Sequence, residues 1–121
     1  MGRKIKFRAK RLDRYEWVYG NLVRIDDDYR IIEQEAHNNM VVDCQVVAET
    51  VGQFTGLHDK NGVEIYEGDI VHWCVNQIVV SGNVYFASGW FDLRNENGSI
   101  GWDTLRGESH VIGNIHEGIK Q

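Results

Sequence analysis

Thr50-Val51-Gly52-Gln53-Phe54-Thr55-Gly56-Leu57-His58-Asp59-Lys60-Asn61-Gly62-Val63-Glu64-Ile65-Tyr66-Glu67-Gly68-Asp69-Ile70-Val71 is the stretch that decides how this chain folds. Apolar residues are spaced among glycine, Asn and Asp, with no helical period. Asp59-Lys60-Asn61-Gly62 lies between Phe54/Leu57 and Val63/Ile65, and Asn-Gly at its end tolerates the positive φ of a type I′ hairpin turn. Gly68-Asp69 then turns the chain into an expected strand over 70–75. The segment is therefore read as short strands joined by tight turns.

Upstream, residues 4–10 alternate strictly. Ile5, Phe7 and Ala9 point one way, and Lys4, Lys6, Arg8 and Lys10 the other, which is a strand with one buried and one cationic face. Strands follow over 15–25, 29–35 and 40–47, with turns at Asp26-Asp27-Asp28 and His37-Asn38-Asn39. Downstream, a meander is expected over 77–80, 84–87, 89–94, 99–105 and 110–115. Its turns are Ser81-Gly82-Asn83, Asn95 to Gly98 and Arg106-Gly107-Glu108. Helix is limited to single turns at 43–50 and Leu105 to Glu108.

Composition agrees. Val and Ile total 25 against 9 Leu and Ala, and branching at Cβ suits a pleated surface better than a helix. The 121 residues hold no proline, so 13 glycines and the Asn/Asp pairs make the turns. The fold class is all-β with minor α at most. An N-terminal β-rich subdomain over 1–50 precedes a small β-barrel over 51–121. No apolar run is long enough to cross a membrane, and the start lacks the apolar stretch of a signal peptide. Two cysteines 30 residues apart, Cys44 and Cys74, read as free thiols of a reducing cytoplasm.

The central run, with Ile5-Lys6-Phe7-Arg8-Ala9-Lys10-Arg11, Glu16-Trp17-Val18-Tyr19-Gly20 and Val111-Ile112-Gly113-Asn114-Ile115, resembles the YopX family of small proteins from bacteriophages and prophages. The resemblance implies a later half similar to an SH3-like barrel, a phage origin and a bacterial host cytoplasm. It brings no catalytic residues and no defined biochemical role.

The residues of the central run, Gly52, Gln53, Thr55, Gly56, Asp59, Asn61, Gly62, Tyr66, Gly68 and Asp69, are read as architecture. The glycine spacing lacks the Gly-Lys-Ser/Thr of a nucleotide-binding loop. His72 and Cys74 share a strand face, and His37, Cys44, His58, His110 and His116 are scattered. No clustered Cys/His spacing exists, so neither a metal nor a cofactor is expected. Cys74, beside Ile70, is read as buried. Nothing in the pairing of Cys74 with His72 or His110, or in the carboxylates Glu33/Glu35 and Glu64/Glu67/Asp69, argues for an enzyme. Trp73, between Val71 and Val75, belongs to the core. Trp90 and Trp102, each after a glycine, are interface candidates.

The net charge of −5 conceals a division. Residues 1–14 carry 7 basic groups and one acid, giving +6, and residues 15–121 carry 6 basic and 17 acidic groups, giving −11. Lys4, Lys6, Arg8 and Lys10 are candidates for contact with phosphates or with an acidic partner surface. The expected partners are a second copy of the chain and a host or phage protein. Nucleic acid is the alternative reading and a hydrolase or metal enzyme the third.

Overall fold

The computed structural model describes residues 4–34, 41–75, 77–87, 89–100 and 109–119. Trp102, the 105–108 turn, the 37–39 turn and the 101–105 part of an expected strand lie outside the described residues. The chain is all-β among the described residues, with twelve strands and a single 3-10 turn at Ala48–Thr50, where one helical turn was expected. It divides into two compact units, Met1–Phe54 and Thr55–Gln121. The division falls inside a strand rather than after residue 50.

The first unit is built from β1 (Phe7–Lys10), β2 (Trp17–Ile25), β3 (Asp28–Gln34), β4 (Val41–Val46) and the start of β5 (Gly52–His58). All pairings are antiparallel, in the order β4-β3-β2-β1-β5. β2 changes partner partway: Trp17 to Gly20 pair with β1, and Asn21 to Ile25 with β3. At the changeover a Cβ on Gly20 would stand 2.5 Å from the Ile32 carbonyl oxygen, so only glycine lets the strands approach. The far end of β4 returns to the end of β1. Arg11 bridges Val46, Leu12 N–H donates to the Gln45 carbonyl (2.9 Å), and Val47 N–H to that of Lys10 (2.9 Å). Thr50 secures this corner, its Oγ1 accepting from Lys10 N–H (2.8 Å) and donating to the Val47 carbonyl (2.7 Å). The core is Ala9, Ile31, Cys44 and Val46, flanked by Phe7, Val18, Leu22, Tyr29, Val42 and Val51.

The second unit contains the rest of β5, β6 (Glu64–Tyr66), β7 (Asp69–Val75), β8 (Ile78–Ala87), β9 (Trp90–Asn95), β10 (Gly98–Ile100), β11 (His110–Asn114) and β12 (Gly118–Ile119). Its sheet runs β10-β9-β8-β7-β11-β12, antiparallel throughout and open at β10 and β12. Hydrogen bonding therefore does not close the described strands into the expected barrel. The core is Ile65, Val71, Trp73, Val84, Phe91 and Leu93, with Val80 and Val111 against it. Burying six such side chains is worth about 1.5–3 kcal/mol each.

Two expectations fail here. Ser81-Gly82-Asn83 is not a turn, because β8 runs unbroken from Ile78 to Ala87. Gly82 sits where the Arg94 backbone passes, an added Cβ lying 3.2 Å from its carbonyl oxygen, so the glycine marks a close approach rather than a reversal. Cys74 is exposed, not buried. Val71 and Trp73 take the core face, and alternation then turns His72 and Cys74 outward.

Candidate functional site

The basic strand comes first. Lys4 is exposed and Lys6 half-buried, but Arg8 and Lys10 retain only 7% and 4% of their surface. Both faces of β1 are thus occupied at Arg8 and Lys10, and there the cationic face read from its alternation is a ring-stacked layer. The register explains it: Lys10 is opposite Trp17 and Arg8 opposite Tyr19. The Arg8 guanidinium lies 4.3 Å from the Trp17 ring centre. The Lys10 ammonium lies 4.7 Å from Trp17 and 5.0 Å from Tyr15, and that of Lys6 lies 5.6 Å from Phe54. Ring faces attract cations, most strongly when water is excluded. The long stems cover apolar surface, so this layer does packing work.

In the second unit the 59–62 turn is organised by one carboxylate. Asp59 Oδ1 accepts from Asn61 N–H (2.8 Å) and Val63 N–H (2.9 Å), and Oδ2 accepts from Val111 N–H on β11 (3.0 Å). Burial pulls the Asp59 pKa upward, but the donors Val111, Val63 and Asn61, with His110 nearby, outweigh it and hold it below the ordinary carboxylate value. The turn is not type I′, since Gly62 has positive φ (84°) and Asn61 does not. Gly62 N–H donates to the Asp59 carbonyl and Asp59 N–H to that of Val63, the pattern of a type I turn followed by a left-handed glycine.

The remaining residues of the central run make strand pairings and turn hydrogen bonds. Gly52 and Gln53 pair with Arg8 and Phe7 of β1 in the first unit. In the second unit, Thr55 Oγ1 donates to the Ile65 carbonyl (2.8 Å) and accepts from Leu57 N–H (3.2 Å), and Gly56 has a φ of 88°. Buried Asp69 accepts from Tyr66 N–H (2.7 Å), and the Tyr66 hydroxyl donates to Glu64 (2.9 Å). Gly68 N–H donates to the Val84 carbonyl, and the Gly68 carbonyl accepts from Ile115 N–H (both 2.8 Å). These bonds tie the run to β8 and β11.

The outer face of the second sheet is where chemically versatile groups collect. Trp90 is 60% exposed at the tip of the β8–β9 hairpin. On the same face, Tyr85 is opposite Asp92, its hydroxyl 3.4 Å from Oδ2, and the Arg94 guanidinium lies 4.3 Å over the Tyr85 ring. Phe86, on the core side of that tip, meets Phe91 edge to face at 5.0 Å and is 47% exposed. Further across, His72 and His110 are direct cross-strand partners with ring centres 5.2 Å apart. Sequence reading singled out Trp90 but not Tyr85 and Arg94, because only the hairpin register places them beside it. Among the described residues, no three His, Cys, Asp or Glu side chains group as a metal set.

These two units define an all-β protein of paired antiparallel ladders, with its central run making turns and strand ties. The family model described as YopX protein matches residues 6–119, and the chain belongs to the YopX family. A crystal structure of protein EF1440 from Enterococcus faecalis is similar over 96% of each chain, with a TM-score of 0.60 and 24% identity, which supports the fold. No curated protein matches. No helix among the described residues is long and apolar enough to cross a membrane.

Proposed function

We propose that this YopX-family chain is a non-enzymatic, self-associating protein-interaction module, encoded by a phage or prophage and working in the host cytoplasm. One observation carries the reading: the row Trp90, Tyr85 and Arg94 on one face of the β8–β9 hairpin, with Trp90 60% exposed. Trp, Tyr and Arg are the residue types that dominate binding energy at protein interfaces. An exposed tryptophan beside a polar Tyr–Asp–Arg rim reproduces the interface pattern of an apolar anchor ringed by hydrogen-bonding groups. The second unit serves here as the SH3-like part of the module. The occupant is a second copy of the chain, and a host or phage protein is the further target.

The nucleic-acid alternative draws less support. It needs Lys4, Lys6, Arg8 and Lys10 on a solvated face, and two of these four cations are buried against aromatic rings.

Light scattering across micromolar concentrations tests the proposal. The native chain is expected at more than one chain mass, and Trp90→Ser is expected to shift it toward the monomer while leaving the circular dichroism spectrum unchanged. A strictly monomeric native chain removes the self-association claim.

A further inference from the structure

We propose that His72 and His110 form a two-imidazole site for a borderline divalent transition-metal ion, with zinc as the representative. Both histidines lie in the second unit, on adjacent antiparallel strands, as direct partners in the β7–β11 register. Both are half-buried, so their rings are held by the sheet yet reachable from solvent.

The spacing fits two ligands of one ion. An imidazole nitrogen lies about 2.0 Å from zinc, and its ring centre roughly 1.1 Å farther out. Two such rings at a tetrahedral angle have centres about 5 Å apart. The observed separation is 5.2 Å, with the planes inclined by 50° rather than stacked in parallel.

Asn61 supplies the outer contact that orients a metal-bound histidine. Its side-chain amide nitrogen lies 3.4 Å from His110 Nδ1, so this role needs the amide rotated to exchange its nitrogen and oxygen. With the amide oxygen turned to that nitrogen, Asn61 accepts the Nδ1 proton and leaves the Nε2 lone pair of His110 for the metal. The Asn61 backbone is held in place, its N–H donating to Asp59 Oδ1 (2.8 Å). Asp59 also places negative charge near His110, which favours a cation there. Among the described residues no third His, Cys, Asp or Glu completes the set, so water fills the other positions. The expected affinity is accordingly that of an exchangeable site, not of a structural zinc.

Calorimetric titration with zinc chloride at pH 7.5 tests this on the native chain, His72→Gln, His110→Gln and Asn61→Ala. One zinc per chain is expected. Each histidine variant is expected to weaken binding at least tenfold, and Asn61→Ala by a smaller factor. Histidine variants that keep native stoichiometry and affinity overturn the proposal, as does the absence of binding at millimolar zinc. Side-chain NMR of the native chain covers the case in which a variant misfolds. Zinc should shift the ring signals of both His72 and His110, and shifts confined to His58 or His116 overturn the site.

Discussion

Asp59→Asn separates a carboxylate that organises the central run from one that merely sits in it. The native side chain accepts three backbone N–H bonds, two within its own turn and one from Val111, 52 residues away. Asparagine keeps one oxygen, which can still serve Asn61 and Val63. Its amide nitrogen would face the Val111 N–H, donor against donor. A hydrogen bond to a charged acceptor is worth about 1.5–3 kcal/mol, and a half-buried donor left without an acceptor adds its desolvation cost. We expect Asp59→Asn to cost about 2–3 kcal/mol at pH 7, and Asp59→Ala, which removes both acceptor oxygens and with them all three bonds, about 3–5 kcal/mol. With a urea slope of about 1–3 kcal/mol/M, the Asn variant should unfold at a midpoint roughly 1 M lower. Amide exchange gives the local reading: Val111 should lose protection in both variants, while the first unit's Ile31 amide should not. The sign with pH also follows. The folded-state pKa of Asp59 is depressed, so its contribution is complete above the unfolded-state value and is lost as pH falls through the folded one. The gap between native and Asp59→Asn chains should therefore narrow below about pH 4. If the Asn variant stays within about 0.5 kcal/mol of native at pH 7, or the gap widens with acid, the Asp59 carboxylate does not organise the run.

Two further perturbations address the first unit. Gly20→Ala places a methyl 2.5 Å from the Ile32 carbonyl at a φ of 156°, and should cost about 2–4 kcal/mol in urea unfolding. A neutral result would mean that β2 and β3 separate there without penalty. Trp17→Leu removes the ring that both Arg8 and Lys10 face, and should destabilise by about 2–4 kcal/mol, measured by the same unfolding experiment. Trp17→Phe, which keeps a ring, should recover at least half of the loss, and equal losses for the two variants would show that the cations contribute nothing.

Local chemistry was the legible part of this chain. A strand within 4–10, a loop at Asp26-Asp27-Asp28 and a strand over 70–75 follow from side-chain type and turn residues alone; the structure has β1 at Phe7–Lys10, a turn that ends where β3 begins at Asp28, and β7 at Asp69–Val75. What failed depends on neighbours distant in sequence. Ser81-Gly82-Asn83 has turn composition, but the passing Arg94 backbone decides what that glycine is for. Lys4, Lys6, Arg8 and Lys10 read as one cationic face for phosphates or an acidic partner, because only the β1–β2 register brings Trp17 over Arg8 and Lys10. The same holds for the candidate sites. Trp90 could be named from its glycine neighbour, whereas Tyr85, Arg94 and the His72–His110 pairing exist only once strands far apart in sequence are aligned.

The Asp59–Val111 bond bears on the order in which the protein is completed during synthesis. The 59–62 turn and its flanking strands involve neighbours in sequence and can form as soon as residue 66 or so has left the ribosome. The bond that pins the turn to β11 closes a loop of 52 residues and must wait for residue 111. For that interval the nascent chain carries a finished hairpin with half of its carboxylate still in water. A pause after residue 66 has emerged and before residue 111 has therefore prolongs the stage at which this turn is folded but not yet fastened.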